Sequence, residues 1–417
     1  MKILVLTPYL PHRRVGHGGG TAVRDLVTWL ARRHQVQVAA LVRPGEEDLL
    51  AEVEELGVSV APIPFRDSNT RSSARAALYL ERARAWCRSR QSGFPWYVEK
   101  YWSPDLSRRI LSIVETFAPD AIQIEYLQMA LHARDLRRWR DNRNSNSPLL
   151  VLNSHELGSL PRERRAARTS NPLTAFTARK QAQSWRRLQV ESTGWADRTL
   201  CVTREDHALF ENMGGRNLVT VPLGVDLIRI KADWDPAPGL KLLFVGSFDH
   251  RPNRLAAEFL VKTMWPVVAA ARPEARLTIV GRGSRTFLGR MESLESWAAK
   301  GVKALGFVDD LTGLFRKNHL FVAPLPEGGG IKIKILEAMA RGIPVVTTPV
   351  GAEGISTVDA GAIVVAPCDA EFATAVLAAA QDPAGCRRRA AKARHVIETR
   401  FSWKAITEQL TGIYQGQ

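Results

Sequence analysis

Apolar residues gather along this chain in short runs, and between the runs they return every three or four positions. Ile3-Leu4-Val5-Leu6, Val36 to Val42, Val58 to Ile63, Ala121 to Ile124, Leu149 to Asn153, Thr199 to Thr203 and Leu218 to Pro222 have the length of strands covered on both faces. After the first run a loop spans Thr7 to Gly20 and ends in Gly18-Gly19-Gly20. Val23, Leu26, Val27 and Leu30 then predict a helix over 21–33. The polar stretch Lys231 to Gly239, with two prolines and a glycine, reads as a linker. Beyond it the pattern restarts with Lys241 to Gly246, Leu277 to Gly281, Val302 to Gly306, Leu320 to Pro324, Pro344 to Thr348 and Ala362 to Ala366.

Strands alternating with helices imply parallel, doubly wound sheets. The fold expected is α/β, with two Rossmann-like domains facing across a cleft. Residues 1–230 form the first and 231–399 the second, and a helix over 400–417 packs back on the first. Ligands in such sheets bind beyond the carboxyl ends of the strands, which places the expected site in the cleft.

Two segments break the rhythm. Over 70–110, Arg71, Arg75, Arg82, Arg84, Arg88 and Arg90 share a helical stretch with Leu78, Leu80 and Trp86, before the aromatic cluster Phe94 to Tyr97 and Tyr101-Trp102. A second arginine-rich helical stretch covers 161–191. Such a segment is either a basic amphipathic helix meeting a membrane or acceptor, or an insertion packed on its own domain. The net charge of +16 leaves the same choice among nucleic acid, an anionic membrane face, phosphorylated substrates and a merely solvated surface. Cys87, Cys201, Cys368 and Cys386 are scattered without pairing or metal spacing, which fits a reducing compartment and no structural zinc. No signal peptide and no membrane-spanning run is read, so a cytoplasmic protein is expected, with peripheral contact at the inner membrane face as the role open to the basic helices.

The richest candidate chemistry lies in Pro324-Leu325-Pro326-Glu327-Gly328-Gly329-Gly330-Ile331-Lys332-Ile333-Lys334-Ile335-Leu336-Glu337-Ala338-Met339-Ala340-Arg341-Gly342. It reads as strand, glycine loop and helix. Lys332 and Lys334 open the helix, where cations are unfavourable by about 0.3–1 kcal/mol unless an anion rests on the exposed N–H groups. One turn on, Glu337 is set in an apolar helix and needs partners, such as the hydroxyls of a bound sugar. A plain Gly-rich turn with Lys334 paired to Glu337 is the alternative. Together the residues point to a nucleoside-diphosphate site.

The ordered motifs of the chain resemble those of GT-B fold retaining glycosyltransferases of family 4. The resemblance runs through the Gly18-Gly19-Gly20 loop, Trp195-Ala196-Asp197-Arg198, Val221-Pro222-Leu223-Gly224-Val225-Asp226, Phe244-Val245-Gly246-Ser247, Leu277 to Gly281, Gly306-Phe307-Val308 and Leu336 to Val346. It implies a nucleoside-diphosphate sugar as donor and a transfer that uses no metal and no cofactor. Glu337 would bind the ribose. Gly306, Phe307 and Val308 would meet the base. Gly246, Gly329, Gly330 and Ile331 would hold sugar and diphosphate, and Gly19 and Gly20 would approach from the other domain. His155 would stand near the donor sugar, with Glu156 beside it. Attack would come on the face the diphosphate leaves.

Two departures stand out. Eight positions before Glu337, where the family has its first glutamate, the chain has Gly329. Either Glu327 reaches the sugar instead or backbone N–H groups take over. After Lys241 to Gly246 the chain reads Ser247-Phe248-Asp249-His250-Arg251, so Arg251 and Lys334 are left as the cations for the diphosphate, with Ser247 beside them. His12, His17 and His250 are weaker candidates. Gly281-Arg282-Gly283 lacks the rest of a dinucleotide fingerprint. The reading is a glycosyltransferase moving a hexose or modified hexose to the hydroxyl of an acceptor the sequence does not identify. A nucleotide-sugar epimerase or hydrolase on the same scaffold is the alternative. A basic nucleic-acid-binding protein has no helix-turn-helix or RNA-binding signature in its favour.

Overall fold

A computed structural model of the chain describes residues 1–13, 18–66, 75–143, 147–155, 157–228, 230–355 and 361–416. It divides into two compact units. One holds Gly19–Pro222 and Ile406–Gln417 with the N-terminal strand, and the other holds Leu223–Ala405.

In the first unit seven parallel strands follow one another as β1 (Lys2–Thr7), β2 (Gln35–Val42), β3 (Ser59–Pro64), β4 (Ala121–Glu125), β5 (Leu149–Asn153), β6 (Arg198–Cys201) and β7 (Leu218–Thr220), in the spatial order β3-β2-β1-β4-β5-β6-β7. The central strands β1 and β4 are buried except at Lys2, because helices cover both faces of a parallel sheet. Strand order reverses between β1 and β4, which opens a crevice at their carboxyl ends. The second unit repeats the plan with β8 (Lys241–Val245), β9 (Arg276–Val280), β10 (Val302–Gly306), β11 (Leu320–Ala323), β12 (Val345–Thr347) and β13 (Val364–Val365), ordered β10-β9-β8-β11-β12-β13. Its reversal lies between β8 and β11.

Several boundaries differ from the sequence reading for local reasons. The first helix runs over Gly18–Leu30, so the triple glycine forms its opening turn rather than the end of a loop. The basic stretch over 161–191 is two helices, Leu160–Arg168 and Pro172–Thr193. The second is restarted by Pro172 at its first position and by Asn171, whose side chain accepts from Thr174 N–H. The polar run after residue 230 is not loose. Trp234 Nε1 donates to the Asn318 carbonyl at 2.8 Å, and the amides of Asp235 and Ala237 bond to the carbonyls of Arg316 and Lys317. The division between the two compact units falls after Pro222.

The Trp195 to Arg198 motif is structural. Asp197 accepts from the Leu150 amide at 2.9 Å and pairs with Arg140, tying the edge of β5 to the helix Ala130–Asp141. In the motif around Gly224, a side chain at that glycine would strike Trp403, and Val225 N–H donates to the Phe401 carbonyl at 2.7 Å. The final helix, Trp403–Tyr414, is anchored in the first unit by His34 with Thr411 at 3.0 Å and by Tyr414, which is 4% exposed and donates to Gln123.

Candidate functional site

The second unit gathers most of the expected donor residues at the carboxyl ends of β8 and β11. After β11 the chain passes Glu327 and enters Gly328 (φ 139°), Gly329 and Gly330 (φ 63°), conformations at Gly328 and Gly330 that a side chain would strain. The helix starts at Ile333, one residue later than expected, with Lys332 just outside it. No side chain caps this end, and its first turn holds no acid.

The two lysines behave differently. Lys332 is nearly buried and turns back on its own loop, donating to the carbonyls of Gly329 and Gly330 and pairing with Glu353 at 3.3 Å. It ties the loop to itself and to Glu353. Lys334 points the other way, toward the helix Arg251–Phe259 that follows β8, and donates to Asn253 Oδ1. Its ammonium lies 4.9 Å from the centre of the Phe244 ring. The side chain keeps some exposed surface, but burial of the ammonium, with Lys332 as a second cause, lowers its pKa from 10.5 to about 7. Among the described residues no carboxylate pairs with it.

Asn253 is itself fixed, since its Nδ2 donates to the Ser247 carbonyl at 2.7 Å. This packing explains Gly246, where a Cβ would fall 2.7 Å from the Asn253 side chain. Ser247 Oγ bonds Asp249 at 3.1 Å. Arg251 and Glu327 are ion-paired with each other, so each offers a partly neutralised group to a ligand. His250 caps the same helix by its backbone position, and burial lowers its pKa. Glu337 does not pair with Lys334. Its carboxylate stays partly exposed, 3.8 Å from Arg341. At β10, Gly306 (φ 78°) donates its N–H to Ser284 Oγ at 3.0 Å and accepts from the Gly281 amide at 2.8 Å. Both its backbone groups are engaged, whereas Phe307 is exposed and Val308 half-buried beside it. Ile331 is a buried core residue behind the loop.

The first unit carries a separate constellation at the ends of β4 and β5. His155 is buried with φ 56°, and Tyr126 stands at φ 71°. Non-glycine residues in such conformations are held there by their surroundings and cluster at functional sites. The two rings stack at 3.8 Å with 8° between planes. His155 Nε2 bonds Glu125, a carboxylate with no exposed surface, and Asn153 Nδ2 donates to the same carboxylate at 3.2 Å. Gly19 lies against this group, since a Cβ there would sit 1.9 Å from Tyr126 Oη. Gly20 follows in the same helical turn. Glu125, Tyr126, Asn153 and Asn253 were not singled out from sequence. Glu156 and His17 lie outside the described residues. Among the described residues no group of three His, Cys, Asp or Glu side chains is arranged to hold a metal ion, and no helix is long and apolar enough to cross a membrane.

Comparison with known proteins bears on the whole chain. A family model described as Glycosyltransferase Family 4 matches residues 16–229, and one described as Glycosyl transferases group 1 matches residues 239–382. The chain is 30% identical over 173 residues to a GDP-mannose-dependent monoacylated α-(1-6)-phosphatidylinositol monomannoside mannosyltransferase of Corynebacterium glutamicum, covering 39% of this chain and 45% of that one. It therefore spans about half the length of that relative. It is 26% identical over 311 residues to a GDP-mannose-dependent α-(1-6)-phosphatidylinositol dimannoside mannosyltransferase of Mycobacterium tuberculosis, covering 71% and 73%. Among solved structures, Anabaena HepE in complex with UDP superposes with a TM-score of 0.69 at 17% identity over 100% of both chains, which bears on the fold alone.

Proposed function

The chain belongs to glycosyltransferase family 4, and on that footing we propose that it moves a hexose or modified hexose from a nucleoside-diphosphate sugar to an acceptor hydroxyl, with retention of configuration. The observation that carries this reading is the buried ammonium of Lys334 beside an uncapped helix start, at the point where strand order reverses. A departing diphosphate gains negative charge, and fixed cations and N–H groups already aimed at it stabilise the transition state. Lys334 and the N–H groups of Ile331 onward supply that charge with no metal needed. Arg251 opens toward the same anion when Glu327 yields it. Glu337 takes the ribose hydroxyls, Phe307 and Val308 the base, and His155 the donor sugar. The acceptor hydroxyl then passes its proton to the leaving phosphate.

The nucleotide and the acceptor follow relatives only by analogy. The mannosyltransferases matched above are named for GDP-mannose and phosphatidylinositol mannosides, and the HepE structure holds UDP. A lipid-linked acceptor suits the helix Arg75–Ser92, whose exposed Tyr79, Leu80 and Trp86 are interleaved with Arg84 and Arg90. That face fits peripheral contact with an anionic membrane at its cytoplasmic side. Cosedimentation with phosphatidylglycerol vesicles but not with phosphatidylcholine vesicles is the expected result.

A thermal-shift screen of UDP and GDP, followed by turnover of the stabilising sugar nucleotide with and without candidate acceptors, tests the assignment. A nucleotide bound only by the native state raises the melting temperature. Failure of both nucleotides to do so would refute the donor site, and rapid turnover without acceptor would favour a hydrolase or epimerase.

A further inference from the structure

We propose that Glu125, locked by Gln123, Asn153 and Tyr414, is the positioning residue that fixes the His155 ring for its work on the donor. This rests on the reading above that His155 faces the donor sugar.

Strand β4 reads Ala-Ile-Gln-Ile-Glu, and all five residues are buried. Ile122 and Ile124 supply the core face, while Gln123 and Glu125 fill the other face, where aliphatic residues would serve stability as well or better. A carboxylate with no exposed surface persists only when donors surround it. Gln123 Nε2 donates to one oxygen, and Asn153 Nδ2 and His155 Nε2 converge on the other. Among the described residues no lysine or arginine pairs with it.

The orientation of Gln123 is not arbitrary. Its Oε1 accepts from the Tyr414 hydroxyl, so its amide nitrogen has to face Glu125. Tyr414 is buried in the last helix, and burial, with the charge of Glu125 second, holds its phenol protonated as a donor. Every hydrogen bond in the chain from Tyr414 through Gln123 to Glu125 thus has one direction only. The carboxylate in turn fixes Nε2 of His155 as the nitrogen bearing hydrogen. Turning the ring over would set a C–H against Glu125. Nδ1 makes no hydrogen bond among the described residues, and it is the nitrogen left for a substrate. Stacking on Tyr126 and the left-handed backbone of His155 close off other ring positions. The network therefore selects one nitrogen and one angle.

The test joins spectroscopy to kinetics. In ring ¹⁵N spectra, with the His155 signal identified by its loss in His155→Ala, the wild type shows the Nε2–H tautomer and Glu125→Gln shifts away from it. In release of nucleoside diphosphate from UDP-glucose and GDP-mannose, Glu125→Gln lowers kcat about 100-fold with little change in donor KM. Tyr414→Phe lowers it about tenfold, whereas Gln409→Ala, which cuts only the bond from the same helix to the Thr220 carbonyl, leaves it unchanged. The double variant Glu125→Gln/His155→Ala is no slower than His155→Ala alone, because the glutamate acts through the ring. Additive losses, or an unshifted His155 signal in Glu125→Gln, overturn the proposal. Full activity in His155→Ala overturns the role of that histidine as well, so the two failures are distinct.

Discussion

Binding of a nucleoside diphosphate is expected to draw a proton onto Lys334. In the protein alone, burial and the nearby Lys332 lower this lysine from 10.5 to about 7. At 1.36 kcal/mol per pKa unit, the difference is a penalty of at most about 5 kcal/mol on the charged form, reduced by the partial exposure of the side chain. The sign follows from which state holds the proton. Between about pH 7 and 10.5 the unfolded chain keeps a proton that the folded chain has lost, so folding stability rises with pH through that window, and below pH 7 the full penalty remains. A phosphate oxygen against the ammonium reverses the balance. At pH 8 roughly a tenth of the unliganded protein carries the proton, so saturation with UDP or GDP takes up about 0.9 proton. Affinity then weakens by as much as about tenfold per pH unit above 7. Titration calorimetry at pH 8, where the terminal phosphate is already ionised, in buffers of differing ionisation enthalpy reads the uptake directly. Lys334→Met should abolish it. Equal heats in all buffers, or the same uptake in the variant, would refute the placement of the diphosphate.

Three further outcomes are expected. Glu337→Ala lowers nucleotide affinity about tenfold in calorimetry while the melting temperature stays nearly unchanged, because its carboxylate is partly exposed, 3.8 Å from Arg341. Gly19→Ala destabilises the fold by about 1–3 kcal/mol in urea denaturation and slows turnover, since the new methyl group meets Tyr126 Oη, and adding Tyr126→Phe restores much of the loss by removing that atom. Lys332→Met destabilises by about 1–3 kcal/mol through the freed loop carbonyls and Glu353, whereas Lys334→Met raises the melting temperature below pH 7 by removing a buried charge.

Both sheets were legible in the sequence because buried parallel strands leave continuous apolar runs, as in Ile3 to Leu6 or Leu320 to Ala323. The glycine loop before Lys334 was legible for the same kind of reason, since few residue types suit its backbone. The different partners of Lys332 and Lys334 were not, because two ammonium groups two positions apart differ only in where the loop turns them. Nor were the partners of His155. Glu125 lies 30 residues from it, and only the pairing of β4 with β5 brings them together. A faint signal existed in the two polar residues inside the apolar run at β4, a pattern that water on one face of the strand would explain equally well. Asn253 could not be foreseen, because its role depends on the missing side chain of Gly246.

Tyr414 completes the buried interior of a unit whose other residues end at Pro222, so the ribosome makes 183 intervening residues, Leu223–Ala405, before the last piece arrives. Until then the Gln123 amide oxygen lacks the Tyr414 hydroxyl that satisfies it in the fold. Closure of this unit is thereby deferred until the intervening residues have been made, and a fragment cut at residue 222 would emerge with an open seam where the closing helix belongs.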